Sequence, residues 1–135
     1  MLRYRAMVDG VSAPGLSSLP YFHRYTEEAL DLCDVLSSFN AQGKVTLQEL
    51  CRVMGLPGKL GGMSGSDVEK YYREGRIKEI VEYCEADIVN TYRVWLRYEL
   101  FRGRLSDKEF LASESSLGEY IKTHTSTKPH LVACQ

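Results

Sequence analysis

Ile77-Lys78-Glu79-Ile80-Val81-Glu82-Tyr83-Cys84-Glu85-Ala86-Asp87-Ile88-Val89-Asn90 is the stretch from which the fold is read. It contains no glycine and no proline. Its apolar residues Ile77, Ile80, Val81, Cys84 and Ile88 recur at three- and four-residue spacing, and Trp95 and Tyr98 extend the series. That period predicts one long helix from about Arg76 to Arg102, stopping near Gly103, with these side chains in a single stripe facing the core. Cys84 lies in the stripe and reads as a buried small hydrophobe. Tyr83 and Asp87 are four residues apart and therefore occupy neighbouring turns of one face. By helical geometry Asp87 falls about 60° and Tyr83 about 100° from the centre of the stripe. A pair lining a cleft sits there, and so does a boundary pair that merely snorkels.

Working outward, three segments fit the capping-box pattern, a hydroxyl residue followed three positions later by Glu. They are Thr46-Leu47-Gln48-Glu49, Ser66-Asp67-Val68-Glu69 and Ser106-Asp107-Lys108-Glu109. Helices are expected to begin near 47, 67 and 107, the first two ending near Gly55-Leu56-Pro57-Gly58 and Gly75. Residues 1–9 suit a short helix, and 10–20 read as a Gly-, Ser- and Pro-rich loop. Periodicity does not decide whether 29–36 is a short strand running into a helix or a helix alone. Asp31 is expected to end that strand or to cap the helix after it. The tail from about Lys122 reads as fraying.

The chain has 135 residues, 44% of them hydrophobic, and a formal net charge of -1. That is one domain or part of one, with enough apolar content for a core. No global basic field draws it to nucleic acid, so such contact needs a local patch or metal ions. The four cysteines, Cys33, Cys51, Cys84 and Cys134, form no Cys-x-x-Cys and have no His at ligand spacing, which argues against structural zinc. His23, His124 and His130 read as isolated surface residues. No apolar run is long enough to span a bilayer, and Met1-Leu2-Arg3-Tyr4-Arg5 is not followed by the apolar segment of a secretion signal. A cytoplasmic protein with free thiols is expected.

The residue types narrow the chemistry. A carboxylate can ligate a divalent cation and a phenol can orient an attacking water, so Tyr83 and Asp87 suit metal-dependent phosphodiester hydrolysis. An exposed polar pair at this spacing is the plainer alternative. Lys59, after Gly55-Leu56-Pro57-Gly58, reads as a phosphate contact or as a solvated loop lysine. Arg93, Arg97, Arg102 and Arg104 lie along and just past the long helix and could steer a nucleic-acid backbone. Glu82 and Glu99 interrupt that field, which favours a solvated face.

Three stretches together, Leu30-Asp31-Leu32-Cys33-Asp34-Val35-Leu36, Gly55-Leu56-Pro57-Gly58-Lys59 and Tyr83-Cys84-Glu85-Ala86-Asp87 followed by Asn90-Thr91-Tyr92, carry a family resemblance. In order and spacing the chain resembles the predicted 3'-5' exonucleases related to the proofreading domain of family-B DNA polymerases. The resemblance covers roughly residues 1 to 105. Residues 106–135 read as a C-terminal helix and frayed tail.

The resemblance implies a ribonuclease-H-like α/β fold and a site of four carboxylates and a tyrosine around two Mg²⁺ or Mn²⁺ ions. It implies that Asp87 is the last metal-binding carboxylate and that Tyr83 is the water-orienting phenol. The partner implied is a single-stranded 3' end of nucleic acid, with Lys59 a nucleic-acid contact. The family's first motif, Asp-x-Glu on an apolar strand, has no counterpart here. Asp67-Val68-Glu69 and Asp107-Lys108-Glu109 lie in capping boxes instead. The second motif is expected just ahead of Leu2-Arg3-Tyr4-Arg5-Ala6-Met7, before Met1. The expectation is therefore the C-terminal portion of the domain, mainly α with at most one or two short strands and inactive alone. Met1 would then be internal to a longer product, or another polypeptide would supply the missing half. The alternative is a non-catalytic remnant that binds nucleic acid or protein.

Overall fold

The computed structural model describes residues 2–18, 29–58 and 63–135. The chain divides into two compact units, Met1–Lys44 and Val45–Gln135. Among the described residues every regular element is helical and no strand forms, in agreement with a mainly α chain.

The first unit contains α1 (Leu2–Val8), α2 (Pro14–Ser18) and α3 (Leu32–Leu36). α1 matches the helix expected over 1–9, and an Arg5–Asp9 ion pair at 2.7 Å joins its last turns. α2 is a turn and a half of helix inside the segment read as loop. Asp31 is the N-cap of α3, its Oδ1 accepting from the Asp34 N–H at 3.1 Å. The 29–36 segment therefore resolves as a capped helix without a strand.

The second unit contains α4 (Leu47–Met54), α5 (Val68–Arg73), α6 (Ile77–Phe101) and α7 (Asp107–Thr123). The capping boxes at Thr46/Glu49 and Ser106/Glu109 form as expected, each Glu carboxylate accepting the N-cap N–H, at 2.9 and 2.8 Å. Each such cap contributes about 1 kcal/mol. The third box lies two residues earlier than the sequence pattern suggests. Ser64 donates its N–H and its hydroxyl to the Asp67 carboxylate at 2.8 and 2.6 Å, opening a 3-10 turn that leads into α5.

α6 is the axis of this unit and packs against α4, α5, α7 and the C-terminal 3-10 turn Pro129–Cys134. Its helix runs over the expected span, but the stripe it buries differs from the expected one. Ile77, Val81 and Ile88 are 46%, 48% and 67% exposed, and Cys84 is exposed too. The buried residues are Ala86, Val89, Asn90, Arg93, Val94, Leu96 and Glu99. The physical reason is that three polar side chains on the inward face have partners there. Asn90 bonds to Gly58, Arg93 Nε donates to Glu114 at 3.0 Å, and Glu99 pairs with Arg102 at 3.3 Å. A paired buried polar group costs far less than an unpaired one, so hydrophobicity alone points to the wrong face.

The tail is folded, not frayed. Leu131 and Cys134 enter a cluster with Ala86, Val89 and Ile121, against which Leu117 packs. Arg93 also donates to the Cys134 carbonyl, and Lys128 and His130 both reach Glu85 on α6. These bonds tie the last ten residues to α6, which brings the tail beside Tyr83.

Candidate active site

Tyr83 and Asp87 meet as the helical spacing requires. The Asp87 carboxylate lies beside the Tyr83 phenol. Burial first, and then the neighbouring Asp87 carboxylate, push the phenol up to about 12. Tyr83 is therefore protonated near neutral pH and serves as a donor. Asp87 Oδ1 is buried and has no hydrogen-bond partner among the described residues. An orphaned carboxylate oxygen in a protein interior is costly, and such groups gather at functional sites.

Asn90 lies one turn beyond Asp87. It is fully buried and was not read as a site residue from sequence. Its Nδ2 donates to the Gly58 carbonyl at 2.7 Å and to the Ala86 carbonyl at 3.0 Å. Its Oδ1 accepts from the Gly58 N–H at 3.2 Å. One turn further plus three residues, Arg97 donates to the Met54 carbonyl at the end of α4. The Gly-Leu-Pro-Gly segment thus crosses α6 from the level of Arg97 to the level of Asn90, about 10 Å of helix rise toward Asp87. Gly58 has φ +72, and a Cβ there would sit 2.7 Å from Gln48 Oε1. The left-handed backbone favours glycine, and a side chain there would displace the Gln48 amide. Two of the stretches that carry the sequence resemblance are in this way joined directly. Lys59, the next residue, lies outside the described residues, as does His23.

A cavity of about 380 Å³ opens on the N-terminal half of α6, lined by Met63, Tyr71, Glu79, Glu82, Tyr83 and His130 among others. The charges around it are largely committed. Glu79 pairs with Arg76, which also stacks over Tyr71 at 3.8 Å. Glu85 pairs with Lys128 and with His130, whose Nε2 is 2.7 Å from Oε2, and these bonds hold the Glu85 carboxyl below its ordinary range. His130 is thus a hydrogen-bond partner of Glu85 and not an isolated surface group. His124 Nδ1 lies 2.8 Å from the Tyr120 carbonyl. The α6 arginines are likewise structural: Arg93, Arg97 and Arg102 bind protein groups, which accounts for them without a solvated basic face.

A model of the family described as "predicted 3'-5' exonuclease related to the exonuclease domain of PolB" matches residues 1–134. The chain belongs to that family. No curated protein and no solved structure matches it.

The family's chemistry invites a test of the donor set. No group of three His, Cys, Asp or Glu side chains is placed to hold a metal ion among the described residues. Asp87 offers one carboxylate with a free buried oxygen, whereas a two-ion centre needs several. The described residues fit one arm of such a centre and do not fit the whole. No described helix is long and apolar enough to cross a membrane.

Proposed function

We propose that this chain is the C-terminal portion of a 3'-5' exonuclease domain of ribonuclease-H-like fold, carrying Tyr83 and Asp87 of its catalytic site. The observation that carries the reading is the Tyr83–Asp87 pair with an orphaned Asp87 oxygen, in a chain of this family. Asp87 is the carboxylate that would bind Mg²⁺ or Mn²⁺. Tyr83 is the donor that orients the attacking water, because a phenol with its proton retained cannot act as the base. Lys59 contacts a phosphate of a single-stranded 3' end. The remaining carboxylates come from polypeptide outside this sequence, either more of the same product or a separate chain.

The scarcity of metal donors beside Asp87 among the described residues favours a second reading, a non-catalytic remnant that keeps nucleic-acid or protein binding. The two separate in one experiment. A 5'-labelled single-stranded oligonucleotide is incubated with Mg²⁺ and either this chain alone or the native product from source cells. The exonuclease reading expects stepwise shortening from the 3' end by the native product, lost in Asp87→Ala. The remnant reading expects binding without shortening in both.

A further inference from the structure

We propose that α6 carries a seam for a second copy of this chain. Ile77, Val81, Cys84 and Ile88 pack against the same four residues of an antiparallel α6, and Lys78 faces Glu85 of the second copy. The inference is independent of the exonuclease reading above.

The seam is defined by what α6 leaves outside. Ile77, Val81, Cys84 and Ile88 are all exposed, although most of the stability of a helix in a protein comes from burying an apolar face. At 100° per residue the four fall within about 60° of one another, on the side of α6 away from the buried Ala86, Val89 and Arg93. Their spacing of four, three and four residues is the a/d repeat of a two-helix seam. So narrow a stripe fits another helix better than it fits a sheet, which takes a wider face. Lys78 and Glu85 stand on one flank, and Asp87 and the half-buried Ile80 on the other. The seam ends at Ile88. The next position in the repeat is the polar Thr91, and Trp95 after it stacks on Tyr92 with ring centres 5.7 Å apart. The four residues cover about 17 Å of helix rise.

A second copy is selected over any other helix because the pattern reads the same in both directions. Four-three-four is unchanged on reversal. A twofold axis between Val81 and Cys84 therefore sets Ile77 on Ile88 of the second copy and Val81 on its Cys84, in four layers. The same axis places Lys78 opposite Glu85 of the second copy, and does so twice. These charges are opposite and still accessible within one chain. Lys78 is 88% exposed, and its Nζ is 3.7 Å from Glu82, beyond hydrogen-bond range. Glu85, held by Lys128 and His130, keeps a quarter of its side chain exposed. On the other flank Ile80 faces Asp87 of the second copy, with no like-charge contact. A parallel pair would instead set Ile80 against Glu85 and Asp87 against Tyr92, and would form no charge pair at all. The face that α6 buries lies on its far side, which leaves the seam open to approach.

The test is sedimentation equilibrium of the whole 135-residue chain from about 1 to 100 μM. A monomer–dimer equilibrium is expected. Ile88→Lys should still melt cooperatively and weaken the dimer about 100-fold or more, because it places two charges in the seam. Should it fail to melt cooperatively, Ile77→Gln makes the same test at the other end of the seam. Lys78→Glu should weaken the dimer about tenfold in low salt and less in high salt. Cys84 should react rapidly with a thiol reagent in dilute solution and slowly as the chain is concentrated, while Cys33, outside the seam, should not change. With glutathione disulfide as oxidant, Val81→Cys should yield a dimer linked from position 81 to Cys84. A chain that stays monomeric over the whole range overturns the inference, whether Cys84 labels fast or is covered by something else. A dimer indifferent to Ile88→Lys and Ile77→Gln overturns it too, since another face would then be responsible. Wild type cross-linked mainly from Cys84 to Cys84 would mean a parallel pair and would also overturn it.

Discussion

The Asp87 carboxylate stands one turn along α6 from the Tyr83 phenol and raises its pKa, while Asp87 Oδ1 is buried with no hydrogen-bond partner among the described residues. The helix dictates the first half of this relationship, since residues four apart face each other. The second half has no local cause.

The phenol of Tyr83 provides a pH test. Its value of about 12 lies above the ordinary 10, with burial the larger cause and the neighbouring Asp87 carboxylate the next. A raised folded value means that the protonated form is favoured by folding. Its contribution to stability is complete below about pH 10 and lost as pH rises through about 12. Phenolate absorbance should show one of the nine tyrosines ionising late, and Tyr83→Phe should remove that step. Asp87→Asn should move the step to lower pH. A titration unchanged by Tyr83→Phe would contradict the assignment.

The thiols should separate into two classes. Cys33 and Cys84 are exposed, whereas Cys51 and Cys134 are buried and burial raises both their thiols. The Asp87 charge raises Cys51 further. A thiol reagent should modify Cys33 and Cys84 rapidly in the native chain and reach Cys51 and Cys134 only on unfolding. Mass mapping of the modified peptides checks this, and rapid labelling of Cys134 would mean that the tail is not packed.

The tail itself should respond to Glu85 and to Leu131. Lys128 and His130 hold Glu85 below its usual carboxylate range. A lowered folded value gives stability that is present above the unfolded pKa of about 4.3 and lost as pH falls through the folded value. Melting temperatures of wild type should therefore drop on acidification below about pH 4 more steeply than those of Glu85→Gln. Leu131→Ala should cost about 3 kcal/mol in denaturant unfolding, because the side chain is buried among Ala86, Val89 and Ile121.

Local signals in the sequence gave local structure. The Thr46 and Ser106 capping boxes, the Asp31 cap and the ends of α6 are set by residues within four positions of each other. The third box moved because Ser64 and Asp67 satisfy the same geometry as Ser66 and Glu69 two residues earlier. What stayed hidden depends on distant partners. Asn90 and Gly58 are 32 residues apart, and Glu85 and His130 are 45 apart. Nothing near Asn90, Arg93 or Glu99 announces that a partner will make them suitable for the inward face of α6. The exposed Ile77, Val81 and Ile88 were misplaced for the same reason. Tyr83 and Asp87 were legible because helical spacing alone brings them together. The Asn90–Gly58 bonds left only the adjacent Gly-Leu-Pro-Gly as a trace.

Within a completed domain the two site residues should differ in weight. Asp87→Ala should abolish exonuclease activity. Tyr83→Phe should lower it by about 10²-fold or more, the size of one positioned donor, while leaving oligonucleotide affinity nearly unchanged. Steady-state rates and binding isotherms on the same preparations separate the two effects.

The most direct test is 3'-end shortening of a single-stranded oligonucleotide by the native gene product, wild type against Asp87→Ala, in Mg²⁺. Wild type should remove nucleotides stepwise from the 3' end and the variant should remove none. Equal shortening by both proteins would contradict the assignment of Asp87 and with it the site described here.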